Sequence, residues 1–151
     1  MTHLRRAIAL ARDARASGHR PFGALVVLDG EVIAQAASRR PQERDATAHS
    51  ELRVLSAASQ AHTAETLANA TLYASTEPCA MCAAAAYWSG VGRLVFGLSE
   101  SRLRAMTGAN PKNPTLDLPC RELFARGQRH IEVLGPCLED EAIAPHQGYW
   151  N

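Results

Sequence analysis

The segment TEPCAMC, residues 76–82, places Cys79 and Cys82 three positions apart, directly after Pro78. The chain contains four cysteines in all, so each member of this pair must be explained. Two cysteines at this spacing serve as a redox pair, as half of a disulfide framework, as half of a structural zinc knuckle or as part of a catalytic metal site. The residues around the pair have to indicate which of these four roles applies.

A third soft ligand lies upstream in the segment TAHSE, where His49 is followed two positions later by Glu51. We expect both segments to begin helices, and residues three apart on a helix share one face. The positive end of a helix dipole also favours thiolates, the form of cysteine that binds metal. Two helices that start at the same sheet edge would bring together one histidine and two cysteines. Three protein ligands favour catalytic zinc, because structural zinc sites are usually closed by four.

Glu51 has a specific task beside such a metal. Zinc lowers the pKa of a bound water to about 7, and a neighbouring carboxylate can take the proton and deliver it to a reacting nitrogen. Hydrolysis at an amidine-type carbon needs this transfer, because the amine must leave as ammonia. The alternative for Glu51 is a solvent-facing carboxylate in the first turn of a helix. Glu77 has two similar interpretations, orienting a zinc ligand or lying at a helix terminus.

The hydrophobic pattern places these motifs in an alternation of strands and helices. Asp29–Gly30 supplies the tight turn of a hairpin, and Pro78 suits the first turn of a helix. We predict helices over 2–17, 47–60, 79–90, 100–106 and 121–127 and in the final 137–151. We predict two strands in 21–38 and further strands at 70–76, 92–99 and 130–135, with a loop at 107–120. The later alternation argues for parallel strands joined by crossover helices. We expect one α/β domain over residues 1–151.

The composition narrows the class of protein. The chain has 151 residues, of which 46% are hydrophobic and 21% charged, with a formal net charge of +1, as in ordinary globular domains. Its basic residues are nearly all scattered arginines, so we expect no nucleic-acid partner and interpret Arg39–Arg40 as a solvated loop pair. No window is apolar over the ~18 residues of a membrane span. Charges interrupt the basic amino-terminal segment, so we expect a cytoplasmic protein, in which disulfides are disfavoured.

The motifs HSE and PCAMC together resemble the zinc-dependent cytidine-deaminase-like superfamily, whose signature is H-x-E followed by P-C-x-x-C. The resemblance implies that His49, Cys79 and Cys82 hold one Zn²⁺ per chain and that Glu51 is the proton shuttle. The backbone N–H of Cys79 is then expected to donate to the oxygen that develops negative charge. The implied fold is a three-layer α/β/α arrangement around a mixed five-stranded sheet.

Four segments, PFGALVV, TAHSE, TEPCAMC and GRLVFG, are similar to the branch that contains bacterial guanine deaminases, tRNA adenosine deaminases and fungal-type cytosine deaminases. Tyr87-Trp88 is more like the guanine deaminases. Purine-acting members usually carry an asparagine eleven residues before the ligand histidine, where Ser38 stands here. A serine cannot present the paired donor and acceptor of an amide. We expect a small amino-substituted base or nucleoside as substrate, with guanine first and cytosine, another aminopurine or an aminotriazine next.

A small group of side chains is expected to shape the base pocket. The candidate substrate-binding residues are Phe22, Ser38, Ala48, Trp88 and Trp150. Core or subunit-interface packing is the alternative for Phe22 and Trp88. Related deaminases often close the pocket with a C-terminal segment, here APHQGYWN, so Trp150 or its neighbours are expected to cap the site, with simple docking as the alternative. His146 in this segment is expected to be solvated.

The leading hypothesis is therefore hydrolytic deamination of a small heterocycle with water, in a homodimer, since family members are commonly dimers. Two other hypotheses stay open. A tRNA wobble-adenosine deaminase predicts a strongly salt-dependent affinity for tRNA. A non-catalytic zinc-stabilised binding protein predicts zinc content without ammonia release, and unfolding on chelation. Cys120 and Cys137 lie outside the motif and are interpreted as plain thiols.

Overall fold

A computed structural model of the protein describes residues 1–111 and 113–151. The helices are α1 Thr2–Ala16, α2 Ser50–Ala61, α3 Ala64–Leu67, α4 Ala80–Ser89, α5 Glu100–Thr107, α6 Cys120–Ala125 and α7 Glu139–Ile143. The strands are β1 Gly23–Leu28, β2 Glu31–Ala37, β3 Thr71–Thr76, β4 Arg93–Leu98 and β5 Glu132–Leu134. A 3-10 turn follows α7 at Ala144–His146.

The strands form one mixed sheet in the order β2-β1-β3-β4-β5. Strand β1 is antiparallel to both β2 and β3, whereas β3, β4 and β5 are parallel. Asp29 and Gly30 have φ angles of 50° and 83°, as the tight hairpin turn between β1 and β2 requires. The predicted mixed five-stranded sheet is confirmed, including its antiparallel hairpin and parallel second half.

Helices cover both faces of this sheet. Helices α2, α4 and α6 pack on one face, where Val54, Ala83 and Phe124 join a buried cluster with residues of β1, β3 and β4. Helices α1 and α5 pack on the other face, where Leu4 and Leu103 contribute to a second cluster. Successive side chains of a strand point to opposite faces, so β3 and β4 contribute to both clusters, whereas the other face of β1 packs Leu25 against Ala7 of α1. The sheet is therefore the middle of the predicted three layers.

The first helix holds the last residues of the chain, 144–151, which we call the closing segment. Nη1 of Arg15 donates to the carbonyl oxygens of Pro145 and Gln147 at 2.9 and 2.6 Å. These bonds satisfy two backbone acceptors outside regular secondary structure. The closing segment is thereby fixed against α1.

His146 lies inside the closing segment and is 0% exposed. Its Nδ1 accepts a hydrogen bond from Trp150 Nε1 at 3.3 Å, and its Nε2 lies 3.2 Å from Thr76 Oγ1. The prediction that His146 is solvated is wrong. The physical reason is that Thr76 and Trp150 provide buried polar partners for both ring nitrogens, which no local sequence pattern reveals.

A few element boundaries differ from those predicted. Helix α2 begins at Ser50, because His49 is still extended, with φ −76° and ψ 149°. The single-turn helix α3 was not predicted. The predicted loop 107–120 agrees where it can be compared, except that α5 continues through Thr107 and residue 112 lies outside the described residues. Within the part of the chain that the structure describes, no helix is long and apolar enough to cross a bilayer.

Candidate active site

The two motifs meet because α2 and α4 begin beside each other. His49 is the N-cap residue of α2 and Cys79 is the N-cap residue of α4, with Cys82 inside the first turn of α4. Nδ1 of His49 lies 3.7 Å from Cys79 Sγ and 3.5 Å from Cys82 Sγ. The three ligand atoms all lie within 4.8 Å of one another. The geometry therefore brings the three predicted metal ligands into one cluster.

The cluster fits a zinc ion. A tetrahedral zinc with ordinary bond lengths holds a nitrogen and a sulfur ligand about 3.6 Å apart, which agrees with the two nitrogen–sulfur distances in the structure. Two cysteines and one imidazole form a soft ligand set of the kind that selects zinc over hard cations. Cys120 and Cys137 are free thiols outside the cluster, as expected.

The pKa values of the three ligand side chains favour binding of a cation. A hydrogen bond from the Cys82 thiol lowers the pKa of Cys79 to about 4. The same hydrogen bond and burial raise the pKa of Cys82. The pKa of His49 is raised, chiefly by its hydrogen bond to Cys79. Cys79 is therefore a thiolate at neutral pH without any metal, helped by its position at the start of α4.

Glu51 lies in the first turn of α2 and is only 6% exposed. Ser50 Oγ donates to Glu51 Oε2 at 2.8 Å. Burial is the main cause that raises the pKa of the Glu51 carboxyl. The solvent-facing alternative does not describe this side chain. A carboxyl group with a raised pKa exchanges a proton more readily near neutral pH than an ordinary glutamate does.

His49, Cys79 and Glu51 line a cavity of about 540 Å³. One side of the cavity is formed by residues from the strand ends and the loop after β2, among them Phe22, Ser38 and Arg40. The other side is formed by α5 and by the loop that follows it, through Glu100, Asn113 and Leu116. Such a volume suits a single heterocycle or a nucleoside.

The predicted pocket residues divide into two groups. Phe22 and Ser38 line the cavity. Ala48 and Trp88 instead line a separate depression between α2 and α4, and Trp88 is 80% exposed. Trp88 lies outside the cavity because nine residues of helix, about 13 Å of rise, separate it from Cys79. Within one chain, neither Ala48 nor Trp88 lines the cavity, although Ala48 directly precedes the ligand His49.

Trp150 does not line the cavity either. Its ring is buried 6.1 Å from Phe22 and stacks on His146 at 6.2 Å. The side chain of Asn110 donates to the carbonyl oxygen of Trp150. Trp150 therefore does not cap the site as expected. Instead, the closing segment packs against Phe22 and holds the loop after α5, and both of these line the cavity.

Several polar residues of the cavity were not identified as site residues from the sequence. Nη1 of Arg40 lies 3.2 Å from His49 Nε2, so the interpretation of Arg40 as a solvated loop residue is wrong. Arg39 does remain exposed and pairs with Glu43. Arg40 follows a strand whose pattern carries no polar signal, and only the fold turns its side chain toward the metal cluster. Arg20 and Glu100 reach the cavity in the same way.

Glu77 fits its second interpretation. Its Oε2 accepts from the backbone N–H of Glu100 at 3.0 Å and its Oε1 accepts from the backbone N–H of Cys120 at 2.9 Å. These are the first residues of α5 and α6, so one buried carboxylate satisfies donors at two helix N-termini. Glu77 therefore fixes the start of α5, which lines the cavity, and the start of α6, which follows the loop that lines it.

Comparison with known proteins identifies relatives of the whole arrangement. Residues 1–98 match the cytidine and deoxycytidylate deaminase zinc-binding region. A probable cytosine deaminase of Schizosaccharomyces pombe is 39% identical over 151 residues, which cover 100% of this chain and 92% of the relative. A tRNA-specific adenosine deaminase of Agrobacterium fabrum is 42% identical over 93 residues, 60% of this chain and 61% of the relative. A structure of the guanine deaminase from Nitrosomonas europaea superposes with a TM-score of 0.75 at 29% identity, covering 97% of this chain and 82% of that one.

Proposed function

The chain belongs to the cytidine and deoxycytidylate deaminase family and is a zinc-binding hydrolytic deaminase; from this premise we propose that it acts on a free amino-substituted nucleobase, cytosine or guanine. The observation that carries the proposal is the cavity of about 540 Å³, which is lined by His49, Cys79 and the buried Glu51, with Cys82 buried directly behind the other two ligands. All strands belong to one sheet, which supports one catalytic domain over residues 1–151.

The proposed roles follow from the positions of the side chains. His49, Cys79 and Cys82 would hold zinc, which supplies the Lewis acidity that makes water a nucleophile near neutral pH. Glu51 takes a proton from the attacking water, passes it to the ring nitrogen and then assists the departure of ammonia. The backbone N–H of Cys79 donates to the oxygen of the tetrahedral intermediate. Phe22 and Ser38 form part of the wall against which the base lies.

The similarities support a free base over a polynucleotide. The relative that aligns with all 151 residues is a probable cytosine deaminase. The net charge is +1, whereas polynucleotide binders usually concentrate basic residues on one face. Guanine was the first expectation from the sequence, and the full-length relative now gives cytosine equal standing.

The test is ammonia release by the zinc-loaded protein. The panel contains cytosine, guanine, adenine, their nucleosides, ammeline and a tRNA stem-loop. We expect release from cytosine or guanine, and we expect Glu51→Gln to keep zinc and fold while losing about 10²–10⁴-fold in kcat. Near-wild-type release by Glu51→Gln would refute its role as shuttle. Release from the stem-loop alone would overturn the proposal of a free base.

The second candidate is deamination of adenosine in tRNA, favoured by the 42% identity to the Agrobacterium fabrum enzyme over 93 residues. This function predicts tight tRNA binding that weakens steeply with salt, because each neutralised phosphate releases a counterion. Titration of labelled tRNA at two salt concentrations separates the candidates. Binding that is weak and changes little with salt would exclude the tRNA function.

A homodimer and a cytoplasmic location complete the proposal. Met81, Ala85 and Trp88 lie four and three residues apart on α4, so they form one stripe of the helix. Met81 and Trp88 are exposed in the single chain, and a second copy of the chain would cover them. A reducing compartment suits the protein, because Cys79 and Cys82 must stay free to bind zinc.

A further inference from the structure

The part of the cavity formed by α5 and the loop after it contains two polar side chains that have no hydrogen-bond partner among the residues that the structure describes. We propose that Glu100 and Asn113 recognise the substrate: the Glu100 carboxylate accepts a hydrogen bond from a ring N–H, and the Asn113 amide donates to the neighbouring carbonyl oxygen. The substrate is then a free amino-substituted ring with an N–H next to a C=O. This inference rests on the proposed function and narrows its substrate class.

Glu100 is the first residue of α5, lines the cavity and is only 8% exposed. Within residues 1–111 and 113–151, its carboxylate makes no hydrogen bond and no ion pair. The nearby cations are engaged elsewhere: Arg104 pairs with Asp117, and Arg102 pairs with Glu139 and Asp140. A buried carboxylate without a partner destabilises the fold. An unpartnered carboxylate that faces a cavity therefore points to a ligand.

Glu100 is not needed to cap its own helix. Ser99 is the N-cap of α5, and its Oγ accepts from the backbone N–H of Arg102 at 3.4 Å. The backbone N–H of Glu100 donates to Glu77. Helix α5 is therefore fixed by Ser99 and Glu77, and the Glu100 side chain remains available to the cavity. Burial, followed by the nearby acidic groups Cys79 and Glu77, raises the pKa of Glu100 to about 7.

Asn113 presents the opposite hydrogen-bonding group. It lines the same cavity, and its buried Nδ2 has no hydrogen-bond partner in the described chain. The loop that carries it is held in place: Asn113 N–H donates to Asn110 O at 3.0 Å, and the Asn110 side chain donates to Trp150 O. A buried amide donor without an acceptor costs about 1–3 kcal/mol. A substrate acceptor would remove this penalty.

One acceptor and one donor select a particular kind of ring edge. Cytosine has N1–H beside C2=O, and guanine has N1–H beside C6=O, so either base satisfies both side chains. Adenine has no carbonyl group, so it does not present an N–H beside a C=O. Cytidine carries its sugar on N1 and cannot donate to Glu100. A site that leaves buried polar groups unpaired rejects such analogues strongly.

The test measures binding in the zinc-loaded Glu51→Gln protein, in which turnover does not interfere. Calorimetry compares cytosine with 1-methylcytosine and guanine with 1-methylguanine. We expect at least one base to bind about 10- to 100-fold more tightly than its N-methyl analogue. In the Glu51→Gln/Glu100→Ala double variant this ratio should fall to near one. Asn113→Leu should weaken binding of that base by about tenfold or more.

Glu122→Gln is the matched control, because it removes an exposed carboxylate from the first turn of α6 and should leave the ratio unchanged. Equal zinc content and equal urea midpoints would show that the variants fold. If neither base binds, or if the methyl penalty survives Glu100→Ala, the inference is overturned. If a base binds with the expected ratio but wild-type protein releases no ammonia from it, the inference holds and the proposed function fails.

Discussion

Cys79 and Cys82 contribute to one cluster but are held differently. Cys79 is the N-cap residue of α4 and the thiolate of the pair, whereas Cys82 is 0% exposed and its thiol donates a hydrogen bond to Cys79. Zinc binding therefore has to release the Cys82 proton, and affinity for zinc should rise with pH over the neutral range. Loss of either sulfur leaves two ligands, too few for a stable site.

The first prediction concerns this ligand set. Cys82→Ser should weaken zinc binding by more than about 100-fold, because even residues that only orient zinc ligands contribute 10–100-fold. Competition with a chromophoric chelator measures the change. Cys137→Ser, which alters a free cysteine outside the cluster, should bind zinc like the wild type. Retention of tight binding by Cys82→Ser would contradict the ligand assignment.

At the residue scale, the spacing of the motifs was enough to predict the metal cluster but not the rest of the cavity. The histidine and the cysteines lie at the starts of helices, where local sequence fixes the side-chain direction. Glu100, Asn113 and Arg40 have no such local signal, since each reaches the cavity through the packing of separate elements. Trp88 was misplaced because its assignment followed a similarity in sequence and not the rise of the helix, about 13 Å from Cys79, that the residue count predicts.

Among the elements, α5 and α6 depend on one side chain for their position. Glu77 accepts backbone hydrogen bonds from the first residue of each helix. Neither helix is long, and short helices gain most of their stability from such tertiary contacts. Glu77 therefore links the segment between β3 and α4, which carries Cys79, to α5 and α6.

Glu77→Gln should lower the free energy of unfolding by about 1–3 kcal/mol, because one of the two backbone donors would face an amide NH₂ in place of an oxygen. Urea unfolding followed by circular dichroism measures the loss. Glu65→Gln in α3, an exposed carboxylate, should have little effect. A Glu77→Gln protein as stable as the wild type would show that other groups hold these helices.

The boundaries of the elements were predicted less well than their order. Helix α2 was predicted from residue 47, yet His49 must stay extended for its ring to reach the cysteines. Helix α3 has one turn and no hydrophobic repeat of its own. The order of strands was predictable because the alternation and the Asp29–Gly30 turn are strong local signals.

On the scale of the whole molecule, the closing segment makes stability depend on pH. Burial and the charge of Arg15 lower the pKa of His146 from 6.5 to about 4. The pKa of His146 is lower in the folded than in the unfolded protein. Neutral His146 therefore contributes fully to the free energy of unfolding above about pH 6.5, and this contribution is lost as pH falls toward 4. A shift of this size is worth about 3 kcal/mol.

His146→Gln keeps a polar group between Thr76 and Trp150 but removes the titration. We expect the wild type to lose about 3 kcal/mol more of its unfolding free energy than the variant does between pH 7 and pH 4. Zinc release contributes to both proteins and cancels in the difference. Parallel stability curves for the two proteins would contradict the buried, neutral state of His146.

Assembly gives a last prediction at this scale. If the α4 stripe is a dimer interface, Trp88→Ser should raise the dimer dissociation constant by about 30-fold or more, since buried tryptophans dominate many interfaces. Light scattering after size exclusion reads the mass. Leu134→Ser on β5 also removes an exposed apolar side chain and should leave the dimer intact. A monomeric mass for the wild-type protein would contradict the proposed homodimer.

The hydrogen bond from Asn110 to the Trp150 carbonyl has a consequence for how the protein is made. Synthesis runs from the amino end, so the zinc ligands and the loop after α5 leave the ribosome before the residues that hold that loop. A nascent chain can thus acquire its metal while the wall that carries Asn113 is still unsupported. The protein should therefore become active in two stages. It binds its metal first, and it distinguishes between substrates only when residues 144–151 have docked.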